Sequence, residues 1–428
     1  MKKELVANNF KWLFSDKILE IGFGFILNVW VARVIGVDNF GRIAVVLAIM
    51  ALVDPICNLC IRTKVVAMLV ANQLKESYVL SNTFAITLAS SFLVSCGISI
   101  LSTIFMSDNS LKIITIIFAS TLPFKAFGFA EYYFESKLKA KYLFRARKSA
   151  FAISLIGKIV AIYFFSNWLI LVALSIAIEP CIYSLMLYAV YTEKNCPKLS
   201  IGDININAQK MLIKHSYPLI LAAFCSALML KIGQILLPIL TDETAAGNFA
   251  IAQKFVESAN FLPLVITQST FPVILEEIEN GQLSNGKKLL KTGIILSYSG
   301  IAITLGIVIF GPTVVGLLYG QQYKLAPDIV GILALSMVFV FSFSLRKKIL
   351  IALDETPYLL KFSVVSGIAS LCITYVLTKM IGLYGTALAL PVGWLFAIVV
   401  IPLCFNKREE VIFFIKTLNP KKLVERTS

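Results

Sequence analysis

The chain has 428 residues, 58% of them hydrophobic and 15% charged, with a mean hydropathy of +0.85, which excludes an ordinary water-soluble enzyme. Its 23 Gly and 14 Pro do not describe a collagen-like or disordered chain, and eight Cys scattered among apolar residues make no disulfide scaffold. A net charge of +15 asks for an anionic partner, and in so apolar a chain that partner is the anionic lipid of the cytoplasmic leaflet, not nucleic acid.

Apolar runs long enough to cross a hydrocarbon core of roughly 30 Å recur from end to end. They lie near 10–32, 40–62, 79–105, 111–131, 149–166, 168–191, 216–240, 246–275, 289–313, 328–345, 357–378 and 383–405. The sequence therefore predicts an all-α, polytopic membrane protein of about twelve transmembrane helices. Met1-Lys2-Lys3 resembles the start of a signal peptide, but Asp16, Lys17 and Glu20 interrupt any apolar h-region, so span one is read as a retained helix. Basic residues cluster in alternate loops: Lys2, Lys3 and Lys11, Arg62 to Lys75, Lys137 to Lys148, Lys194 to Lys214, Lys287 to Lys291, Arg346 to Lys361 and the tail after Lys407. The opposite side keeps Arg33, Arg42, Lys112, Lys324 and Lys379. By the bias of Lys and Arg toward the cytoplasm, both termini are expected there. Ser166-Asn167 leaves scarcely more than a turn between spans five and six.

The connection from Thr192 to His215, with Pro197, Gly202, Asn205 and Asn207, divides the chain into an N-terminal six-helix lobe (1–200) and a C-terminal one (201–406). Six spans per half bring both halves in from the same side, so the lobes are expected to be pseudo-symmetric about the membrane normal. Phe40-Gly41-Arg42-Ile43-Ala44 at span two and Ala246-Gly247-Asn248-Phe249-Ala250 at span eight echo each other. The tail, 407–428, reads either as an interfacial amphipathic helix carrying Val411, Ile412, Phe413, Phe414 and Ile415 or as a frayed end.

Ten charges fall within spans: Lys17, Lys125, Lys158, Lys231 and Lys254, with Asp16, Glu20, Asp54, Glu179 and Glu257. At about 3 kcal/mol each for a lipid-facing position they would cost on the order of 30 kcal/mol, so they must face each other or water. Lys158 and Glu179 flank the Ser166-Asn167 turn at similar distances and are read as a structural ion pair. Asp16 and Glu20, one helical turn apart, and Asp54 with Asn58 suggest a proton or cation site, packing polarity being the alternative. Lys231 and Gln234 on span seven, Lys254 and Glu257 on span eight, and Lys17 on span one suggest a binding site for an anionic substrate, interlobe salt bridges being the alternative.

Cys57-Asn58-Leu59-Cys60 lies inside span two without a second pair or a His, and is read as packing. The one His, His215, starts span seven; no catalytic residue, metal site or cofactor is expected, and without a Walker A loop ATP is not the direct energy source. Pro55, Pro123, Pro180, Pro263 and Pro391 are expected to kink spans and free carbonyls.

Three stretches carry a family resemblance. Ala32-Arg33-Val34-Ile35-Gly36-Val37-Asp38-Asn39-Phe40-Gly41-Arg42-Ile43-Ala44 resembles the A-R-x-x-G-x-x-x-F-G-x-x-A signature of O-antigen and polysaccharide flippases (Wzx-type) of the multidrug/oligosaccharidyl-lipid/polysaccharide exporter superfamily. The segment Leu317-Leu318-Tyr319-Gly320-Gln321-Gln322-Tyr323-Lys324-Leu325-Ala326 resembles the family's L-x-G-x-x-Y-x-x-A element before span ten, and Gly382-Leu383-Tyr384-Gly385-Thr386-Ala387 resembles its G-x-x-G-x-A start of span twelve. With the span layout, the resemblance extends over essentially the whole chain. It implies two lobes in a V that rock about a cavity lined by spans one, two, seven and eight. It also implies a cargo of undecaprenyl-pyrophosphate-linked oligosaccharide moved across a bacterial inner membrane for O-antigen or lipopolysaccharide biosynthesis, a possible glycan polymerase partner, and antiport of H+ or Na+. The alternatives are a multidrug or lipid-II exporter of the same superfamily, which would share the fold, and a membrane-bound polysaccharide polymerase or acyltransferase, which would be expected to carry a large outer loop or an intramembrane His.

Overall fold

The computed structural model describes residues 2–72, 74–164, 168–279, 287–353 and 355–418, and among these every regular element is helical. Among the described residues, nine helical stretches are long and apolar enough to cross a bilayer. Two more helices of spanning length, α1 (Lys2–Ile35) and α7 (Ala140–Phe164), carry more charge. The stretch Thr356–Cys404 holds two spans, because the backbone leaves helical geometry at Ile381 and Gly382. The described residues thus form the twelve spans read from the sequence. Large side chains such as Ile104, Phe105, Phe310 and Leu317 are exposed on their outer faces, which suits hydrocarbon as the solvent. The Ser166-Asn167 turn, the side chains of Lys2, Lys3, Lys11 and Lys17, and the tail beyond Leu418 lie outside the described set.

In each half the second and fourth spans are broken. Span two is α2 (Val37–Cys57) and α3 (Arg62–Ala71), separated by a turn in which Leu59 and Cys60 take positive φ. Span four is α5 (Asn109–Thr121), a 3-10 turn Leu122–Phe127 and α6 (Gly128–Ser136). Between them in sequence runs α4 (Glu76–Phe105), and the half closes with α7 and α8 (Trp168–Glu193). In the second half α9 (Ile206–Leu240) is continuous, and span eight is α10 (Glu243–Glu257), a 3-10 turn Ser258–Asn260 and α11 (Phe261–Glu279). After α12 (Lys287–Tyr319), span ten is α13 (Ala326–Ala334) and α14 (Ser336–Ala352), broken at Leu335. The remaining helices are α15 (Thr356–Leu395), which holds span eleven and most of span twelve, α16 (Ile401–Cys404) and α17 (Arg408–Thr417).

Of the predicted kink sites, Pro55, Pro123 and Pro263 stand beside breaks, while Pro180 and Pro391 are carried inside helices, because a membrane helix re-satisfies a carbonyl freed by proline locally. The carbonyl of Cys57, left open where α2 ends, accepts from Ser90 Oγ at 2.9 Å, and that of Ala119 from Ser95 Oγ at 2.7 Å. Ser90 of α4 thus supplies what the break of span two loses, and Ser95 adds a second donor to a carbonyl that already accepts from Leu122 N.

The chain forms two compact units, Met1–Ile35 with Ile49–Ile220, and Gly36–Ala48 with Leu221–Ser428. The start of span two, which the sequence division placed in the N-terminal lobe, groups with the second unit. The first unit packs an aromatic core in which Tyr191 lies 5.3 Å from both Phe129 and Tyr133. Its connection to α9 is pinned to α4: Ser77 Oγ donates to Asp203 Oδ2 at 2.8 Å, and Asn82 holds the backbone on both sides, at Asp203 O and Asn205 N. Burial beside Tyr133 pushes the Cys196 thiol in this connection above its ordinary range. In the second unit α17 is docked: Glu410 pairs with Arg346 of α14 and accepts from Tyr358, and Thr417 accepts from Ser297 at 3.0 Å. Of the two readings left open for the tail, this part is a packed amphipathic helix.

Candidate functional site

In the first unit Asp16, Asp54 and Glu179 are each paired with a cation. Asp16, 4% exposed on α1, takes Arg147 at 2.5 Å and Lys148 at 3.1 Å, both from α7. Arg147 reaches on to Glu131 of α6 at 3.7 Å, Glu131 to Arg62 of α3 at 3.4 Å, and Arg62 to Glu135 at 2.9 Å. Tyr183 of α8 donates to Glu131 at 3.1 Å and accepts from Arg147 at 3.4 Å. This ionic ladder ties together spans one, two, four, five and six. Glu20 is exposed on α1 and lies in the field of Arg147.

Asp54 stands apart from the ladder. It occupies the last turn of α2, accepts from Asn58 Nδ2 at 3.0 Å, and pairs with Lys125 in the 3-10 turn of span four. The pair thus joins the breaks of both interrupted spans. Its side chains remain partly open, Asp54 to 48% and Lys125 to 25%. An exposed carboxylate held by one lysine and one amide, next to unwound backbone, is a place where a cation or proton can compete for the acid.

Lys158 of α7 and Glu179 of α8 lie 3.2 Å apart, the lysine almost fully buried. Lys158 continues a run of buried positions, Leu143, Ala146, Ala150 and Ser154, at helical three- and four-residue spacing.

In the second unit Lys231 of α9 pairs with Glu257 of α10 at 2.7 Å, and Gln253 donates both to Glu257 at 2.9 Å and to the Leu230 carbonyl at 2.8 Å. Gln234 is buried on α9. Lys254 is exposed and forms no ion pair among the described residues. The structure thus brings Lys231 and Glu257 together as a neutralised pair and, among the described members of the set, leaves Lys254 as an open cation; the Lys17 side chain lies outside the described residues.

The motif residues build a joint within the second unit. Gly36 takes φ +79° and turns the chain into α2. Gly41 and Gly247 then cross so closely that a Cβ on Gly41 would lie 2.5 Å from the Glu243 carbonyl, and one on Gly247 2.1 Å from that of Val37. The two glycines that echo each other in sequence are partners in one helix crossing. Arg42 pairs with Glu243 at 2.7 Å and Thr244 donates to Asp38 at 2.6 Å. Phe40 meets Tyr323 of the second motif edge-on at 6.4 Å, and Asn248 caps the first amides of span ten, Leu325 and Ala326. In the third motif Gly382, at φ +57°, takes the turn between spans eleven and twelve, and Gly385 sits where a Cβ would collide with the Leu377 carbonyl. Arg33, the remaining motif residue, is exposed near the end of α1.

Sequence reading missed the partners Arg62, Arg147 and Lys148, which it assigned to loops. The helices run past the apolar windows: α7 begins at Ala140 and α3 at Arg62, so these cations are helical and within reach of acids on neighbouring spans.

The family described as Polysaccharide biosynthesis protein matches residues 6–277. No curated protein matches the chain. Among solved structures, an inward-facing multidrug resistance MATE family transporter of the MOP superfamily superposes with a TM-score of 0.74 at 14% identity, over 91% of this chain and 94% of that one. The lipid II flippase MurJ in an inward closed conformation gives 0.69 at 13% identity, over 95% and 91%. A MOP superfamily transporter from Pyrococcus furiosus gives 0.59 at 14%, over 92% and 94%. At such identities the likeness is one of fold.

Proposed function

We propose that this chain, which belongs to the polysaccharide biosynthesis protein family, is a flippase for an undecaprenyl-pyrophosphate-linked oligosaccharide, an O-antigen or similar repeat unit, moved across the bacterial inner membrane by alternating access. The observation that carries the reading is the family match over residues 6–277, joined to a transporter fold over 91% of the chain. Both termini are cytoplasmic in this reading, and the basic loops rest on anionic lipid.

Coupling to H+ or Na+ is assigned to the acids of the first unit, Asp54 foremost and Asp16 and Glu20 behind it. The support for Asp54 is its openness and its place between two broken spans; Asp16 already holds two cations. Substrate contact is assigned to Lys254, Lys231, Gln234 and Glu257, with Lys17. Lys254, exposed and unmatched, is the member best suited to a pyrophosphate as a point charge.

Purified protein in liposomes loaded with fluorescent lipid-linked oligosaccharide tests both parts. Wild-type protein is expected to move the lipid between leaflets without covalent change, and Asp54→Asn to move it with no response to an imposed pH or sodium gradient. Absence of movement would reject the flippase, and unchanged gradient dependence in Asp54→Asn would reject the coupling role. Lipid II in the same vesicles separates the lipid-II reading.

A further inference from the structure

Within the second unit, where the breaks of spans eight and ten approach each other, lies a cavity of about 230 Å³. At ~30 Å³ per liquid water this is room for roughly eight waters, or for one small ring. Its walls hold an unusual set of polar atoms. Gln253 Oε1, Asn260 Oδ1 and the indole Nε1 of Trp394 are buried and have no hydrogen-bond partner among the described residues. Gln253 and Trp394 are 3% and 7% exposed. Unpaired polar groups in such a place cost stability that apolar side chains would not, so their retention calls for a reason.

Their directions are set by their neighbours. The amide nitrogen of Gln253 is committed to Glu257 and to the Leu230 carbonyl, which fixes its oxygen as the unused end. Asn260 sits in the 3-10 turn that interrupts span eight. The Trp394 ring packs 5.3 Å from Phe343, which stacks on Phe362 at 5.1 Å with 17° between the planes. Among the polar groups of the wall, which also include five serines, are thus two unused acceptors and one unused donor, beside aromatic rings. Glu257, already paired with Lys231, and Lys347 bring charges of opposite sign to the wall, so the lining favours neither an anion nor a cation, and a metal cation has no use for an indole N–H. A neutral sugar ring matches the set, since its hydroxyls both donate and accept while its C–H face lies against aromatic carbon.

We propose that this cavity is a binding pocket for one neutral sugar residue. That the sugar belongs to the lipid-linked cargo rests on the flippase reading; recognition of the ring does not.

The test uses full-length protein with Trp12, Trp30 and Trp168 changed to Phe, so that Trp394 is the reporter. Methyl glycosides of neutral hexoses, 6-deoxyhexoses and N-acetylhexosamines are titrated, with methyl glucuronide as the charged control. A saturable change in Trp394 emission is expected from at least one neutral glycoside and none from the glucuronide. Asn260→Leu should unfold at the same or a higher temperature, yet bind that glycoside about fivefold more weakly, the worth of one hydrogen bond; Asn260→Ala serves if the leucine variant does not fold. No saturable response across the panel, or undiminished binding in the Asn260 variant, would overturn the pocket. Competition by lipid-linked oligosaccharide assigns the site to the cargo, and its failure beside glycoside binding assigns it to free sugar. Flipping without glycoside binding removes the pocket and keeps the carrier, while glycoside binding without flipping does the reverse.

Discussion

Adding one methyl group at Gly247 should destabilise the joint that the first motif makes with α10. The new Cβ would stand 2.1 Å from the Val37 carbonyl oxygen and 2.8 Å from its Cγ2. The carbonyl belongs to backbone and cannot swing aside, so α2 and α10 must part by about 1 Å or more to regain ordinary contact. That movement stretches the Arg42–Glu243 pair from 2.7 Å and the Thr244–Asp38 bond from 2.6 Å, both partly exposed. Overpacking of this kind costs about 1–3 kcal/mol, the two weakened contacts about 1 kcal/mol together, and alanine returns up to ~1 kcal/mol of helix propensity. The expected net loss is about 2 kcal/mol. Thermal unfolding in detergent measures it, and hydrogen exchange should rise in residues 36–48 before the rest of the second unit. Gly41→Ala should behave alike, and the double variant should lose less than the sum, because helices already parted by one Cβ have room for a second. A Gly247→Ala protein as stable as the wild type, with unchanged exchange in 36–48, would refute the reasoning.

Two further outcomes follow from particular contacts. Glu179→Ala leaves the nearly buried Lys158 ammonium without its partner; since Glu179 is 33% exposed, the cost should fall at or below the lower end of the roughly 3–5 kcal/mol known for buried pairs, and Lys158→Met in the same protein should restore much of it in thermal unfolding. Gly382→Ala forces an L side chain into φ +57°, ψ −131°, and should cost about 1–3 kcal/mol in the same measurement, whereas Gly306→Ala, where a Cβ meets open space within α12, should be close to neutral or mildly stabilising.

Much was legible in the chain because a bilayer makes composition decisive. Hydrocarbon cannot satisfy a backbone amide, so each long apolar run had to become a helix, and twelve spans followed from run lengths and the spacing of charges. The pairing of Lys158 with Glu179 was read from their similar distances to the Ser166-Asn167 turn, and the need of intramembrane charges for partners from the energy of desolvation. Apart from that hairpin pair, which partner each charge takes was not legible. Arg147 and Asp16 are separated by 131 residues, and Arg42 and Glu243 by 201. Such pairings depend on which helix faces touch, a property of packing that leaves no local trace. The same holds for the glycines: the sequence marked Gly41 and Gly247 as matching letters, and only their crossing made them a contact. The orphaned amide and indole groups around Trp394 are ordinary residues in an apolar string until five spans close around them. One-dimensional hydrophobicity fixes what enters the membrane, because transfer energy is a sum over residues; three-dimensional packing decides the site, because hydrogen bonds and ion pairs depend on distances between residues far apart in the chain.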